Sequence, residues 1–467
     1  MSALASSRGV LSATDPSTGE LIRELPLASE AEVDDAVAAA GDALARERDW
    51  QVPATRAELL ARIGRAVADR AEELAELECR DTGKPISQAR GDVSATVRYF
   101  VYYAGAADKI QADQIPLGPD YLDYTLREPW GVCGVIIPWN YPLQLAARTA
   151  APALAAGNAV VLKASEEAAV TPFELARIVR ECGLPEGLFQ VLTGFADIGA
   201  ALVANPGVDH VTFVGSPATG RLVAEAAAAR LAPVDLELGG KSPNVVFADA
   251  DLDRAIPAIV RSLVQNAGQS CSAGSRLLVE RRAYDEVVAR LAEALRRLSI
   301  GPALDDPDLG PLVSERQFRH ASGLLARATD RATVVTGGRR AEGDRLDRGF
   351  YLEPTLLAGV HVEDEIWNEE VFGPVLAVAA FEDDEEALAL ANASPFGLVA
   401  GVWTRDLSRA HRLAARLEAG QVFVNTYAVG GGVELPFGGY KRSGYGRGKG
   451  MEALRTYTQV KNVCVAL

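Results

Sequence analysis

The sequence predicts an α/β protein in which helices cover parallel β-sheets, and two patterns along the chain support this prediction. Apolar residues recur at three- and four-residue spacing in segments typical of amphipathic helices, at 30–47, 54–80 and 171–182. Ser29 and Thr171 are the predicted N-caps of the first and third of these helices. Short apolar runs bounded by Gly, Pro and Asn are typical of buried parallel strands, and they lie at 132–137, 159–163, 211–215, 236–240 and 244–247.

A second series of strands follows the first, with apolar runs at 334–338, 375–381 and 400–403. Two other segments, 121–127 and 456–467, alternate in polarity and are rich in Tyr, Thr and Val, as β-strands are. A two-stranded extension is only marginally stable by itself, so we expect it to join the sheet of another copy in a homodimer or homotetramer.

Length and composition exclude several classes of protein. The 467 residues, at about 150 per domain, predict about three domains. With 48% apolar and 24% charged residues, the chain is neither disordered nor collagen-like. The net charge of −16 argues against a nucleic-acid partner. Three prolines interrupt the longest uncharged stretch, 129–147, which we interpret as a strand and turn instead of a membrane span. Since no secretory signal is visible, we expect a cytoplasmic protein.

The cysteines and the missing motifs narrow the chemistry. The five cysteines include no CxxC pair, which indicates a reducing compartment and leaves a thiol available for catalysis. The four histidines lack the spacing of metal ligands, so we predict no metal site. The P-loop, HExxH, GxSxG and GxGxxG motifs are all absent.

Three segments carry the candidate catalytic residues. Cys271 lies in NAGQSCSAGSR, where small neighbours leave room for a substrate and leave backbone N–H groups near the thiol. Asn140 lies in IIPWNYPL, where its amide either donates to an oxyanion or forms an Asx turn. Glu237 ends an apolar strand in LELGGKSPN, either as a buried general base or as a strand-end carboxylate that reaches solvent.

With these segments the chain resembles the aldehyde dehydrogenase superfamily, in its hydrolytic NAD(P)-dependent branch, from about residue 14 to the C-terminus. The motifs that carry the resemblance are, in order, TDPSTGE, DTGKP, PWNYP, VVLKASE, FVGSPATG, LELGGKSPNVV, GQSCSAGSR, EEVFGPV and PFGGYKRSGYGR. The resemblance implies an aldehyde dehydrogenase-like fold. Its expected parts are a Rossmann-like NAD-binding domain at 1–108 and 130–239, an α/β catalytic domain with the nucleophile at 240–436, and a small β oligomerisation extension at 109–129 and 437–467.

The resemblance also implies the reaction, which is oxidation of an aldehyde to the carboxylic acid with NAD. Cys271 would form a thiohemiacetal, whose oxyanion is held by the Asn140 amide and the backbone N–H of Cys271. Water activated by Glu237 would then hydrolyse the resulting thioester. The positions that match the family's cofactor contacts are Trp139, Lys163, Glu166, Gly215, Ser216, Glu370 and Phe372. A carboxylate at Glu166 repels the 2′-phosphate of NADP, which favours NAD.

The chain departs from the family pattern at two positions. Thr149 and Gly448 stand where many relatives carry the Lys and Glu that relay a proton from the general base. Their joint absence puts that route in doubt here, so we expect a water chain or another path.

Three residues bear on the substrate. Arg148 occupies the place at which succinate-semialdehyde dehydrogenase-like members bind the substrate carboxylate, unless it simply pairs with a local acid. Tyr141 and Tyr427 are predicted to wall an aromatic tunnel, which favours a general aliphatic or aromatic aldehyde. A carboxylate-bearing semialdehyde is the alternative. A CoA-acylating enzyme or a non-catalytic homologue is less favoured, because Cys271 and Glu237 are both present.

Overall fold

A computed structural model describes residues 9–328, 331–427 and 432–467 of the chain. The strands of these residues are β1 (Val10–Thr14), β2 (Leu21–Pro26), β3 (Gln114–Ile115), β4 (Tyr121–Pro129), β5 (Val132–Ile136), β6 (Ala159–Ala164), β7 (Phe189–Thr193), β8 (His210–Val214), β9 (Val234–Glu237), β10 (Pro243–Val246), β11 (Arg276–Glu280), β12 (Thr333–Thr336), β13 (Thr355–Ala358), β14 (Val375–Phe381), β15 (Phe396–Gly397), β16 (Val399–Trp403), β17 (Gln421–Val424), β18 (Tyr440–Lys441), β19 (Gly444–Tyr445) and β20 (Thr458–Ala466).

The α-helices of the described residues cover the sheets and follow the same chain order. They are α1 (Glu30–Arg46), α2 (Pro53–Asp69), α3 (Ala71–Thr82), α4 (Ile86–Ala106), α5 (Pro142–Ala156), α6 (Val170–Glu181), α7 (Ala196–Ala204), α8 (Pro217–Ala228), α9 (Leu252–Val264), α10 (Tyr284–Arg296), α11 (Glu315–Ala328), α12 (Glu365–Asn368), α13 (Asp384–Asn392), α14 (Leu407–Arg416) and α15 (Gly450–Thr456). None of the helices in the described part of the chain is long and apolar enough to cross a bilayer.

The first large sheet has six strands in the order β19-β9-β8-β5-β6-β7. The pairs from β9 to β7 are parallel, and β5, β6 and β8 are buried along their whole length. Burial on both faces explains why these strands are continuous apolar runs, as the sequence indicated. Since β5 and β9 are parallel, the Asn140 turn and Glu237 follow or end their strands at the same edge of the sheet.

The second large sheet has seven strands in the order β12-β13-β14-β11-β10-β16-β17, and only the β12–β13 pair is antiparallel. Its two faces enter separate apolar cores, because successive side chains of a strand point to opposite sides. In β11, Leu278 packs in one core, whereas Leu277 and Val279 pack in the other. The structure thus contains both α/β series that the sequence predicts.

The β extension has three strands where two were predicted, in the antiparallel order β20-β4-β3. The segment predicted to belong wholly to this extension, 437–467, is divided between sheets. Gly444 and Tyr445 pair with Glu237 and Leu236 at the edge of the six-stranded sheet, and only Thr458–Ala466 pairs with β4. The short pairing at Gly444 brings the neighbouring residues, including Gly448, close to Glu237.

Helix boundaries were predicted with mixed accuracy. Ser29 is the N-cap of α1, and its hydroxyl accepts a hydrogen bond from the backbone N–H of Glu32. The predicted helix at 54–80 is two helices, which meet at Arg70. The prediction of Thr171 as an N-cap is wrong, because α6 begins at Val170. The Thr171 hydroxyl instead donates to the buried carboxylate of Glu78.

Candidate active site

A cavity of about 550 Å³ brings together the three predicted catalytic residues, Cys271, Asn140 and Glu237. Asn140 lies in the turn between β5 and α5, and Glu237 is the last residue of β9. Cys271 lies in the loop between α9 and β11, residues 265–275, which we call the thiol loop. The nucleophile therefore comes from the seven-stranded sheet region, whereas the amide and the carboxylate come from the six-stranded one.

The thiol loop is fixed by contacts on several sides. A Cβ at residue 240 would lie 2.3 Å from the carbonyl oxygen of Cys271, so only a glycine allows this approach. The Tyr427 hydroxyl donates to the carbonyl of Ser272 at 2.8 Å. At the start of the loop Asn266 and Ala267 have φ of +50° and +52°, a left-handed conformation that neighbouring contacts must maintain.

Two opposing effects act on the pKa of the Cys271 thiol. Burial raises the pKa of the thiol, whereas the cationic side chains of Arg148 and Lys449 act to lower it. The net pKa is raised, so the resting thiol is protonated at neutral pH. Cys271 is nevertheless partly exposed to the cavity, unlike the buried Cys79 and Cys133.

The side-chain amide of Asn140 is aimed at the thiol loop. Its Nδ2 donates to the carbonyl oxygen of Gln269 at 3.0 Å, two residues before the nucleophile. This bond uses one of the two amide protons, which leaves the other for an oxyanion formed at Cys271. The backbone carbonyl of Asn140 accepts from Lys84 and from Asn266, each at 2.8 Å.

Glu237 forms an ion pair with Arg148, between Oε2 and Nη2, and both side chains are buried. The local-acid alternative for Arg148 therefore describes the structure. Gly448 leaves the space for this pair, since a Cβ there would lie 2.4 Å from Oε1 of Glu237 and 3.1 Å from Nη2 of Arg148. The Thr149 hydroxyl donates to backbone carbonyls of its own helix, Leu145 and Ala146.

A second cation lies next to Arg148. The guanidinium carbon of Arg148 is 4.5 Å from the centroid of the Phe437 ring, and the Lys449 ammonium is 5.0 Å from it. Backbone hydrogen bonds in both directions between Phe437 and Gly448 fix this arrangement. Burial, followed by the charge of Arg148, lowers the pKa of Lys449 to about 7. Lys449 was not predicted as a site residue, although it directly follows Gly448.

The residues predicted to bind pyrophosphate lie between strand and helix. Gly215 follows β8, and Ser216 is the N-cap of α8, with its hydroxyl accepting from the backbone N–H of Thr219 at 3.3 Å. Both line the cavity. The N-terminus of this 12-residue helix provides N–H donors and a positive dipole, which suit a pyrophosphate.

Lys163 and Glu166, the predicted adenosine-ribose contacts, form an ion pair of 3.3 Å at the end of β6. Neither residue is among those that line the cavity around the thiol. Burial lowers the pKa of the Lys163 ammonium, and the carboxylate of Glu166 partly opposes that effect. The structure thus places this pair at the carboxyl edge of the parallel sheet, where dinucleotides bind in such folds.

The remaining predicted cofactor residues, Glu370, Phe372 and Trp139, meet at the cavity wall. The rings of Trp139 and Phe372 make an edge-to-face contact with centroids 5.3 Å apart. Oε1 of Glu370 accepts from the backbone N–H of Gly240 at 3.0 Å. Burial raises the pKa of Glu370 to about 7, despite that hydrogen bond.

Only one of the two tyrosines predicted to wall the tunnel does so. Tyr141 lines the cavity, but Tyr427 is absent from the described lining residues, and its hydroxyl donates to the backbone carbonyl of Ser272. Phe423, Leu435 and Phe437 provide apolar wall that the sequence analysis did not assign. Phe437 lies in the PFGGYKRSGYGR motif, which was the available signal for it.

Comparison with known proteins shows the family of the chain. A family model described as the aldehyde dehydrogenase family matches residues 4–463. The chain belongs to the aldehyde dehydrogenase family. This membership confirms the predicted family, the α/β fold class and the prediction of an aldehyde-oxidising enzyme.

Solved aldehyde dehydrogenases are similar to the chain over nearly its whole length. A protein from Burkholderia cenocepacia assigned to the aldehyde dehydrogenases is 48% identical, with a TM-score of 0.96 over 98% of this chain and 96% of that one. An NAD+ complex of aldehyde dehydrogenase from Bacillus cereus is 39% identical, with a TM-score of 0.95 over 98% and 93%. An NAD-dependent aldehyde dehydrogenase from Sinorhizobium meliloti is 39% identical, with a TM-score of 0.97 over 100% and 93%.

Proposed function

We propose that this aldehyde dehydrogenase oxidises an aldehyde to the free carboxylic acid with NAD, through a covalent adduct on Cys271. The observation that carries the proposal is the convergence of one thiol, one amide donor and one carboxylate in a single cavity. None of these groups alone indicates the reaction. Together they provide a nucleophile, an oxyanion donor and a general base.

The first half of the reaction belongs to Cys271 and Asn140. The thiol gives its proton to water, and the thiolate adds to the aldehyde carbon to give a thiohemiacetal. The free Nδ2 proton of Asn140 and the backbone N–H of Cys271 stabilise its oxyanion. The neighbouring charges of Arg148 and Lys449 favour the thiolate.

NAD fits the residues on the other side of the cavity together with an ion pair, Lys163 and Glu166, that lies outside the cavity lining. The α8 N-terminus with Gly215 and Ser216 would hold the pyrophosphate, and Lys163 and Glu166 the adenosine ribose. Glu370 and Phe372 would position the nicotinamide end, with Trp139 beside it. Bound NAD supplies the acceptor for the hydride that leaves the thiohemiacetal carbon. A thioester then remains on Cys271.

Glu237 performs the second half. Its carboxylate accepts a proton from water, the hydroxide adds to the thioester, and the thiolate leaves as the acid forms. Arg148 stabilises the charged carboxylate and fixes its place. Since Thr149 and Gly448 offer no ionisable group, the proton leaves the base through water or another path.

Cys271→Ala and Glu237→Gln variants test the proposal with NAD and a panel of aldehydes. We expect Cys271→Ala to form no NADH. Glu237→Gln is expected to give a single burst of NADH, because the thioester forms but is not hydrolysed. Wild-type turnover in Glu237→Gln would contradict the assigned base. A requirement for CoA would indicate acyl transfer, and silence of folded wild-type protein with every aldehyde would indicate a binding role.

A general aliphatic or aromatic aldehyde is the first candidate substrate, because Phe423, Leu435 and Phe437 make much of the wall apolar. The second candidate is an aldehyde that also carries a carboxylate. Lys449 supports it, since this lysine lines the cavity as a second cation beside Arg148. The panel therefore pairs each semialdehyde with a neutral aldehyde of equal length.

We also propose that the protein self-associates through the three-stranded sheet. This sheet carries exposed apolar side chains on β4 and β20, including Tyr121 at 49% and Val460 at 58% exposure. Such a surface is unfavourable in water and suits contact with a second copy. Light scattering coupled to size-exclusion chromatography distinguishes dimer or tetramer from the monomer that would contradict this.

A further inference from the structure

The geometry points to Lys84 as a positioning residue. Together with Gln88 it holds the Asn140 amide at a fixed distance from the thiol loop. The inference rests on the proposed role of Asn140 as oxyanion donor. It gives a function to the DTGKP motif, which the reaction itself leaves unused.

The Lys84 ammonium is fully buried, and each of its three protons has an acceptor. It donates to Oδ2 of Asp92, to Oε1 of Glu78 at 3.3 Å and to the backbone carbonyl of Asn140 at 2.8 Å. It also lies 4.2 Å from the ring centroid of Tyr141. Three directed bonds and a ring contact leave the group one position, so the Asn140 turn is fixed with it.

The charge of Lys84 is stable in this setting. Burial acts to lower its pKa, but the carboxylates of Asp92 and Glu78 outweigh burial, and the net pKa is raised. The ammonium therefore stays protonated across the neutral range. A charge-assisted hydrogen bond to the Asn140 carbonyl is stronger than a neutral one, which makes the turn stiff.

The same carbonyl joins Asn140 to the thiol loop, because Nδ2 of Asn266 donates to it at 2.8 Å. The backbone N–H of Asn266 in turn donates to Oε1 of Gln88, also at 2.8 Å. Lys84 lies two residues before the start of α4, and Gln88 lies in its first turn. One segment of chain thus contacts both the oxyanion turn and the loop that carries Cys271.

This arrangement matters because the oxyanion forms at Cys271, whereas its side-chain donor belongs to the other sheet region. An oxyanion donor is effective only at about 2.7–3.1 Å. A displacement of about 1 Å can reduce the rate about 10²-fold. Because Lys84 and Gln88 contact the Asn140 turn and the thiol loop, they keep the distance between these two parts constant.

A double-mutant cycle tests the inference, with Lys84→Met, Asn140→Ala and the double variant assayed for NADH formation. We expect each single variant to lower kcat about 10²-fold. The double variant should be no slower than Asn140→Ala, since Lys84 acts through Asn140. KM for NAD should not change in Lys84→Met, and Lys84→Arg should recover part of the kcat that Lys84→Met loses. The matched control is Lys109→Met, a change at an exposed lysine, which should keep the wild-type rate.

The outcomes separate this inference from the proposed function. Full activity of Asn140→Ala would contradict the oxyanion role, and the inference would fall with it. If Asn140→Ala lowers kcat and the double variant shows the product of the two single losses in kcat, Lys84 acts independently of Asn140. In that case only the inference is overturned. If Lys84→Met does not fold, Gln88→Leu replaces it in the cycle. Multiplicative losses there overturn the inference in the same way.

Discussion

Two lysines lie near the candidate site, and the charges around them differ. Lys84 contacts two buried carboxylates, Asp92 and Glu78, and its pKa is raised. Lys449 lies over the Phe437 ring next to the Arg148 guanidinium, and its pKa is lowered to about 7. Two carboxylates therefore contact the Lys84 cation, whereas the Lys449 cation lies beside a second positive charge.

The difference separates a structural cation from one that is suited to a ligand. A buried charge that is fully paired contributes a fixed geometry, and removing it leaves its partners unpaired. A cation whose pKa is lowered by burial and a like charge gains stability from an incoming anion. Lys84 therefore belongs to the scaffold of the site, whereas Lys449 lines its cavity.

The largest expected effect is on stability, and it compares Lys84→Met with Lys449→Met. Lys84→Met leaves Asp92 and Glu78 buried without their counter-ion, which costs about 3–5 kcal/mol. Lys449→Met removes a like-charge neighbour of Arg148, so its effect should be much smaller. Thermal unfolding of both variants measures this, and an equal fall in Tm would contradict the distinction.

An intermediate effect is expected from Gly448→Ala, which tests whether the space at residue 448 keeps Glu237 paired with Arg148 next to Lys449. The new Cβ would lie 2.4 Å from Oε1 of Glu237, so the base must move. We expect kcat to fall about 10- to 100-fold while the NADH burst remains, because only thioester hydrolysis is slowed. The matched control is Gly105→Ala, where a Cβ meets nothing within 4 Å. Loss of the burst itself would show that the space at 448 serves the first half-reaction.

The smallest expected effect is a pH dependence carried by Lys449. Its pKa of about 7 makes it a cation at pH 6 and mostly neutral at pH 8. KM for a carboxylate-bearing aldehyde should therefore rise about five- to tenfold over this range, corresponding to one weakened charge-assisted bond. A neutral aldehyde of equal length, or the Lys449→Met variant, should show no such rise. A rise of the same size in Lys449→Met would assign the titration to another group.

The sequence alone was sufficient to predict that residues marked by a local pattern lie together. Cys271 among small residues, Glu237 at a strand end and Asn140 after a buried strand all lie in the same cavity. Parallel strands bring their carboxyl ends to one edge, so strand-end residues far apart in the chain meet predictably. The turn at Gly215 and Ser216 lies between strand and helix for the same reason.

The sequence was insufficient where a role depends on partners from distant segments. Tyr427 was predicted as a tunnel residue because it is aromatic, but its hydroxyl donates to the carbonyl of Ser272. Segment 437–467 has the composition of an extension, but Gly444 and Tyr445 pair with the six-stranded sheet. Thr171 has the features of an N-cap, but its hydroxyl is used by Glu78. In each case a tertiary contact overrode a local preference.

The sequence by itself determined the α/β class, because apolar periodicity is a local property of the chain. Its short motifs were sufficient for the resemblance to the family and for the identity of the three converging groups. Only the tertiary structure decided which charges pair. Arg148 was available either to a substrate or to a local acid, and the space left by Gly448 placed it on Glu237. That choice depends on distances between segments that are about 90 to 300 residues apart in the chain, which residue patterns do not encode.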